Sequence, residues 1–170
     1  MKFKLIKIEQ LSGRKATIYS AIIGNEGKTL FDKFIVENIG DFKDELLKIR
    51  RTILTIAHDT GAREQFFDKP ERKAGQSVFA LYDRPDSKLR LYCFRFDRHI
   101  LILGSGGFKP KTISAFQEDP KLTYENKIVR YISDTLTQAI KDRDIRQSDD
   151  DMELLENLEF IDFEEDMDDE

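Results

Sequence analysis

Leu89-Arg90-Leu91-Tyr92-Cys93-Phe94-Arg95-Phe96, then Asp97-Arg98-His99, then Ile100-Leu101-Ile102-Leu103, is the stretch that decides the fold. Both long runs are rich in the aliphatic and aromatic side chains that suit a pleated surface, and only three residues separate them. So short a link excludes a crossover and sets the two strands antiparallel. Upstream, Ser77 to Tyr82 reads as another strand, joined to the first run by Asp83-Arg84-Pro85-Asp86-Ser87. The three form an antiparallel meander.

Working outward, residues 2–9 and 16–23 are short β-rich runs separated by Leu11-Ser12-Gly13-Arg14-Lys15, the composition of a hairpin. Thr29 and Asp32 mark the start of a short helix over 30–38, which Asn38 to Gly40 is expected to end. Asp41 then caps a second helix, on which Phe42, Leu46, Ile49, Ile53 and Ile56 fall on one stripe. Residues 63–73 read as a charged loop or a frayed short helix around Phe66 and Phe67. Behind Asp119-Pro120, the four-residue recurrence of Ile128, Ile132, Leu136 and Ile140 predicts a helix over 123–143. The fold class is α+β: a small antiparallel sheet packed with two helices, plus a C-terminal helix and a tail. The expected division is a body of residues 1–146 and a tail of residues 147–170.

That division is also electrostatic. All 28 Lys and Arg lie in the body and outnumber its acids by eight, whereas the last 24 residues hold 13 acids and no base. A positive body suits an anionic partner such as RNA, and an acidic appendage is able to compete for the same surface or merely to solvate the chain. Leu154, Leu155, Leu158 and Ile161 can share a helix face in the tail, which predicts docking on the body or on a partner, with flanking acids near the basic surface.

Several classes of function are excluded. The single Cys93 permits no internal disulfide and reads as a buried strand residue, which fits a reducing, cytoplasmic setting. No local Cys/His spacing forms a zinc motif, and Asp149-Asp150-Asp151 lacks the ligand alternation of a calcium loop, so neither metal nor cofactor is expected. No run approaches the ~18 apolar residues of a membrane span.

The candidate site residues lie on and beside the meander. Alternation puts Arg90, Tyr92, Phe94 and Phe96 on one face, a basic and aromatic surface that is able to neutralise phosphate and stack bases. The same aromatics also suit a core beneath the long helices, with Arg90 at its edge. Residues 104–112, Gly-Ser-Gly-Gly-Phe-Lys-Pro-Lys-Thr, form a basic exit that matches no phosphate-binding loop motif. Its glycines serve either a bulge or the close approach of a nucleic-acid backbone, with Lys109 and Lys111 offering charge. Tyr92, Arg95, Arg98 and His99 are the expected RNA contacts.

With two helices leading into Val78-Phe79-Ala80-Leu81, Leu89-Arg90-Leu91-Tyr92, Ile100-Leu101-Ile102-Leu103 and Gly107-Phe108-Lys109-Pro110-Lys111, the chain resembles the RelE/ParE superfamily of toxins, in particular its HigB-like, phage-associated branch. The resemblance covers about residues 29–112. It implies the toxin of a type II toxin-antitoxin pair, a metal-independent endoribonuclease (a hydrolase in the broad sense) that cuts mRNA in association with the ribosome and is paired with a small helix-turn-helix antitoxin. Arg90, Lys109 and Lys111 match the family's basic positions and Tyr82 is a further catalytic candidate. The N-terminal hairpin, the last helix and the acidic tail exceed the compact toxin pattern. The alternative is a non-catalytic RNA- or protein-binding regulatory module.

Overall fold

The computed structural model describes residues 1–67, 78–109 and 119–161. Its elements are β1 (Lys2–Lys7), β2 (Thr17–Ile23), α1 (Leu30–Thr55), β3 (Phe79–Ala80), β4 (Leu89–Phe96), β5 (Ile100–Phe108), α2 (Pro120–Lys141), β6 (Ile145–Gln147), β7 (Leu154–Glu156) and β8 (Glu159–Ile161). Six strands make one sheet in the order β3-β4-β5-β2-β1-β8, and β6 and β7 pair separately. Within the large sheet β2 and β5 are parallel and the other neighbours are antiparallel. The α+β class and the meander are as expected.

The core follows from strand alternation. Ile100 and Ile102 of β5 join Phe3, Leu5, Tyr92 and Phe94 under α2, where Ile132 and Leu136 cover them. Leu101 and Leu103 point the other way, to Ile18, Leu91, Cys93 and the α1 residues Phe34 and Ile53. The sheet is therefore clad on both faces, and β5 is buried on both.

The two helices expected between 30 and 56 are one. Thr29 caps it as predicted, its hydroxyl accepting from the Asp32 amide at 3.1 Å. At Asn38 to Gly40, however, the helix continues, and only Phe42 leaves helical dihedrals, at φ −132° and ψ 35°. The Asn38 side chain donates to the Phe34 carbonyl at 2.8 Å, so the residue expected to break the helix bonds to its preceding turn. The stripe is a core contact nonetheless, since Leu46, Ile53 and Ile56 are buried. Past Thr55 the helix widens into a π-turn over Ile56–Thr60, and Glu64–Phe66 forms a single 3₁₀ turn.

The glycine run is no exit loop. Gly104 to Gly107 lie within β5, whose ladder to β4 shifts register between Leu91 and Cys93 so that Gly104 and Ser105 together face Tyr92. This is a bulge. A Cβ on Gly104 would lie 2.2 Å from Val129 Cγ2 of α2, and one on Gly106 only 1.8 Å from the Arg90 carbonyl oxygen. Close packing of the helix and the neighbouring strand demands these glycines, and Gly104, Gly106 and Gly107 are buried, away from any nucleic-acid backbone.

The tail docks, but as strands and not as a helix. The boundary expected at 146/147 falls inside β6. β7 pairs with β6, and β8 adds to the free edge of β1, where Phe160 stacks on Phe3 at a centroid distance of 4.8 Å. An open strand edge supplies hydrogen-bond partners that a helix cannot use, and alternation in β8 turns Phe160 alone toward the core. Of the described acids, Glu156 pairs with Arg146 of β6 at 3.1 Å, and two pair at that edge, Glu153 with Lys7 at 2.6 Å and Glu159 with Lys4 at 3.5 Å. They lie on the side of the sheet opposite β3, about 24 Å away at ordinary strand spacing. They do not cover the basic end of the meander. Phe163, Pro110 and Lys111 lie outside the described residues. No helix among the described residues is long and apolar enough to cross a membrane.

Two substitutions test this packing with opposite signs. Gly106→Ala meets backbone and should destabilise by about 3 kcal/mol, whereas Gly40→Ala, in an exposed helical turn with open space around it, should stabilise by about 1 kcal/mol. Urea midpoints of the two variants check both.

The tail also has a pH signature. Burial pushes the Tyr19 phenol up, and its oxygen accepts from the Leu154 amide at 3.1 Å. A hydrogen bond from Lys7 to Glu153 holds the ammonium above its ordinary value, against the pull of its own burial. Groups raised on folding stabilise fully below their ordinary values, near pH 10, and lose that contribution as pH rises through the folded ones. Stability should therefore fall above about pH 10, and Tyr19→Phe should shrink that fall while costing about 1–2 kcal/mol at neutral pH for the orphaned amide. Denaturant titrations at pH 7 and above pH 10 measure both.

Candidate nucleic-acid interface

The β3–β4 connection, Leu81 to Lys88, is pinned at both ends. Glu45 of α1 accepts the Lys88 amide at 2.8 and 3.0 Å and the Leu89 amide at 2.8 Å, and the Tyr82 amide donates to the Phe66 carbonyl at 2.7 Å. Tyr82 turns the chain in a left-handed conformation, φ 46°. The next residue, Asp83, points inward. Its Oδ2 accepts from Arg90 Nε and Nη2, both at 3.1 Å, and its Oδ1 from Lys109 Nζ at 2.5 Å. Lys109 Nζ also donates to the Arg84 carbonyl at 3.0 Å.

The register explains the meeting. Arg90 sits opposite Gly107, and the Lys109 amide continues the ladder to the Lys88 carbonyl at 2.8 Å, so both cations leave the same corner of the sheet. Lys111, the third cation expected with them, lies outside the described residues, while Arg90 and Lys109 meet on one carboxylate. Their charge, however, is engaged: side-chain exposures of 15% for Arg90, 14% for Lys109 and 7% for Asp83 mark a largely buried cluster of two cations on one carboxylate. Burial alone would lower the Arg90 pKa, but Tyr92 and Asp83 outweigh it and hold it raised.

Beside this corner, α1 and the connection enclose a cleft of about 520 Å³. Lys48 and Arg51 of α1 line one wall; Phe66, Tyr82 and Arg84 line the other. Tyr82 is 44% exposed, its ring lies 6.4 Å from that of Phe66, and the Arg84 guanidinium sits over it at 4.0 Å. Of the carboxylates at the rim, Glu45 is committed to the two amides and Asp86 remains. A cleft that holds an aromatic ring paired with one cation, and two further cations from α1, can bind a ligand that is both flat and anionic.

The other residues singled out in the sequence are placed elsewhere. Tyr92 is 3% exposed and Phe94 is buried beside it under α2, so the aromatic face of β4 is core and stacks no base. An internal strand covered on both faces leaves no other outcome. Arg95 braces the far end of β4, its Nη1 donating to the Ala62 carbonyl at 2.9 Å and the Asp97 carbonyl at 3.1 Å, with its guanidinium 5.4 Å over the Phe67 ring. Arg98 is exposed in the following turn, and His99 Nδ1 lies 2.8 Å from Asp97 Oδ1. Arg95, Arg98 and His99 thus stand about 17 Å along the strand from Arg90 and form no single surface with it.

Two groupings escape a reading by local spacing. Lys48, Arg51 and Arg84 come together only because α1 packs beside the β3–β4 connection. Asp97, His99 and Asp151 converge because β6 and β7 return the acidic segment to the β4–β5 turn. Comparison with protein-family models, with curated proteins and with solved structures gives no match.

The Asp83 cluster generates a stability prediction. Asp83→Asn leaves Arg90 and Lys109 largely buried without their counterion, and should cost about 2–4 kcal/mol, whereas Asp86→Asn at the cleft rim should change stability by less than about 0.5 kcal/mol. Thermal and urea unfolding of both variants make the comparison.

Proposed function

We propose that the protein binds single-stranded RNA, laying a segment of it in the cleft between α1 and the β3–β4 connection. The observation that carries this reading is the exposed Tyr82 ring under the Arg84 guanidinium, at a cleft to which α1 contributes Lys48 and Arg51. A base stacks on the paired Arg84 guanidinium or takes its place on the Tyr82 ring, and the other cations meet the phosphates, which is the chemistry of strand binding with little sequence preference. The excess of eight positive charges on residues 1–146 supports the same partner.

A second reading, cleavage, is favoured by Arg90 and Lys109 lying together at the end of the meander. In this reading the chain is a RelE/HigB-like toxin, an mRNA endoribonuclease acting at the ribosome and held in check by an antitoxin. The ribose 2′-oxygen attacks the adjacent phosphorus and the 5′-oxygen departs, so the nucleophile comes from the substrate. The protein supplies position and charge. Arg90 and Lys109 would serve the phosphate only by exchanging Asp83 for it, and Tyr82, at the cleft mouth, is the side chain available for proton transfer.

Fluorescence anisotropy of a labelled single-stranded RNA with the full chain, over a series of salt concentrations, tests the binding reading. Lys48→Ala and Arg84→Ala should each flatten the logarithmic salt dependence by about 0.7, the value for one single-strand phosphate contact. Tyr82→Ala should cost about 1–3 kcal/mol. Wild-type affinity and slope in all three variants would reject the cleft. Incubation with ribosome-bound mRNA tests the second reading separately: Tyr82→Phe should retain binding and lose cleavage, and intact mRNA with the wild-type protein leaves a binding protein.

A further inference from the structure

Asp97 and His99 lie at the β4–β5 turn and Asp151 lies between β6 and β7, more than fifty residues later, yet one ligand atom from each lies within 4.8 Å of the other two. The grouping is chemically mixed, two carboxylates and one imidazole, brought together by two separate turns. The three groups are near enough for small side-chain movements to bring them onto one ion. Asp97 Oδ1 accepts from the His99 amide at 2.7 Å and lies 2.8 Å from His99 Nδ1, a hydrogen bond that holds the carboxylate and the imidazole together and that an ion would replace.

The surroundings fit as well. Gln147 donates through Nε2 to Asp97 Oδ2 at 3.1 Å, leaving Oδ1 toward His99, as an outer partner orients a ligating carboxylate. Gln147 Nε2 also donates to the Asp151 carbonyl at 3.2 Å, so one amide braces both aspartates. The adjacent Asp150 is turned away, its Oδ1 accepting from Ser148 Oγ at 2.6 Å and from the Met152 amide at 3.0 Å. All three side chains are accessible to an ion from solvent.

We propose that Asp97, His99 and Asp151 form a binding site for a divalent transition cation of the zinc class, which clips the turn between β6 and β7 to the β4–β5 turn. The imidazole favours borderline ions over magnesium and calcium, which prefer all-oxygen sets. Three protein ligands leave the remaining positions to water. Because the ligands come from both sides of the contact, the ion fastens the start of the acidic C-terminal segment to the body. The site stands apart from the cleft and does not depend on RNA binding.

The test is calorimetric and thermal titration of the chelator-treated full chain with ZnCl₂, with MgCl₂ as the second arm. One zinc ion per chain should bind saturably, raise the melting temperature and slow proteolysis after Gln147, with magnesium much weaker. His99→Ala and Asp151→Asn should each weaken zinc binding by about tenfold or more, as should removal of the brace in Gln147→Ala. All three sites are at the surface, so the folded protein remains available for measurement. The acids of residues 162–170 supply the competing explanation. Zinc binding of wild-type strength in both His99→Ala and Asp151→Asn would place the ion on those acids and overturn the proposal, as would equal binding of magnesium or the absence of saturation.

Discussion

Everything else in this fold depends on β5 being buried on both faces. Ile100, Leu101, Ile102 and Leu103 are each essentially inaccessible, and consecutive strand residues point in opposite directions, so no single layer of helix can cover them. At about 25 cal/mol per Å² of apolar surface, leaving either face open would forfeit several kcal/mol from these residues alone. Two helices are therefore required. α1 supplies one as the long connection that a parallel β2–β5 pair needs, and α2 supplies the other by folding back across the sheet after β5. Gly104 follows from the same demand, because Val129 of α2 packs where a Cβ on that glycine would stand.

The fold was legible wherever one periodicity dominated. The alternation of β4, the apolar run of β5 and the four-residue recurrence of Ile128, Ile132 and Leu136 admit one geometry each, and each is found. The ambiguous segments were those whose punctuation is local but whose structure is tertiary. Asn38 and Gly40 carry the composition of a helix end, yet packing of Phe34 on one side and Leu46 on the other holds the helix through a kink at Phe42. Leu154, Leu155, Leu158 and Ile161 satisfy a helical stripe, but with two apolar residues in each three-residue strand they satisfy edge pairing too. The open edge of β1 decided between them.

The site was legible only in part, for a related reason. Arg90 and Lys109 were found because strand order and register are encoded nearby in the chain. Their partner Asp83 changes the chemistry, and nothing in the spacing of Asp83 from Arg90 shows that the connection will turn at Tyr82 and aim the carboxylate at both cations. The cleft is harder still, since Lys48 and Arg51 stand more than thirty residues from Tyr82 and Arg84. The aromatics of β4 show the converse. Tyr92 and Phe94 have the composition of a stacking platform, and only the coverage of that face by α2 makes them core.

The segregation of charge along the chain has a different meaning in the folded molecule. The pairs Lys7–Glu153 and Lys4–Glu159 are substantially exposed, and exposed pairs of this kind contribute about 0–1 kcal/mol. Phe160 stacked on Phe3, the buried Leu154 side chain and the ladder of β8 on β1 hold the described part of the tail instead. Apolar contacts and backbone hydrogen bonds are little affected by moderate salt, whereas competition between acids and RNA would be strongly affected. Glu153 and Glu159 therefore belong to a structural edge, and none of the acids from Asp149 to Glu159 lines the cleft. Among the described residues, the acidic strands and the cationic cleft are thus held at separate places on the sheet.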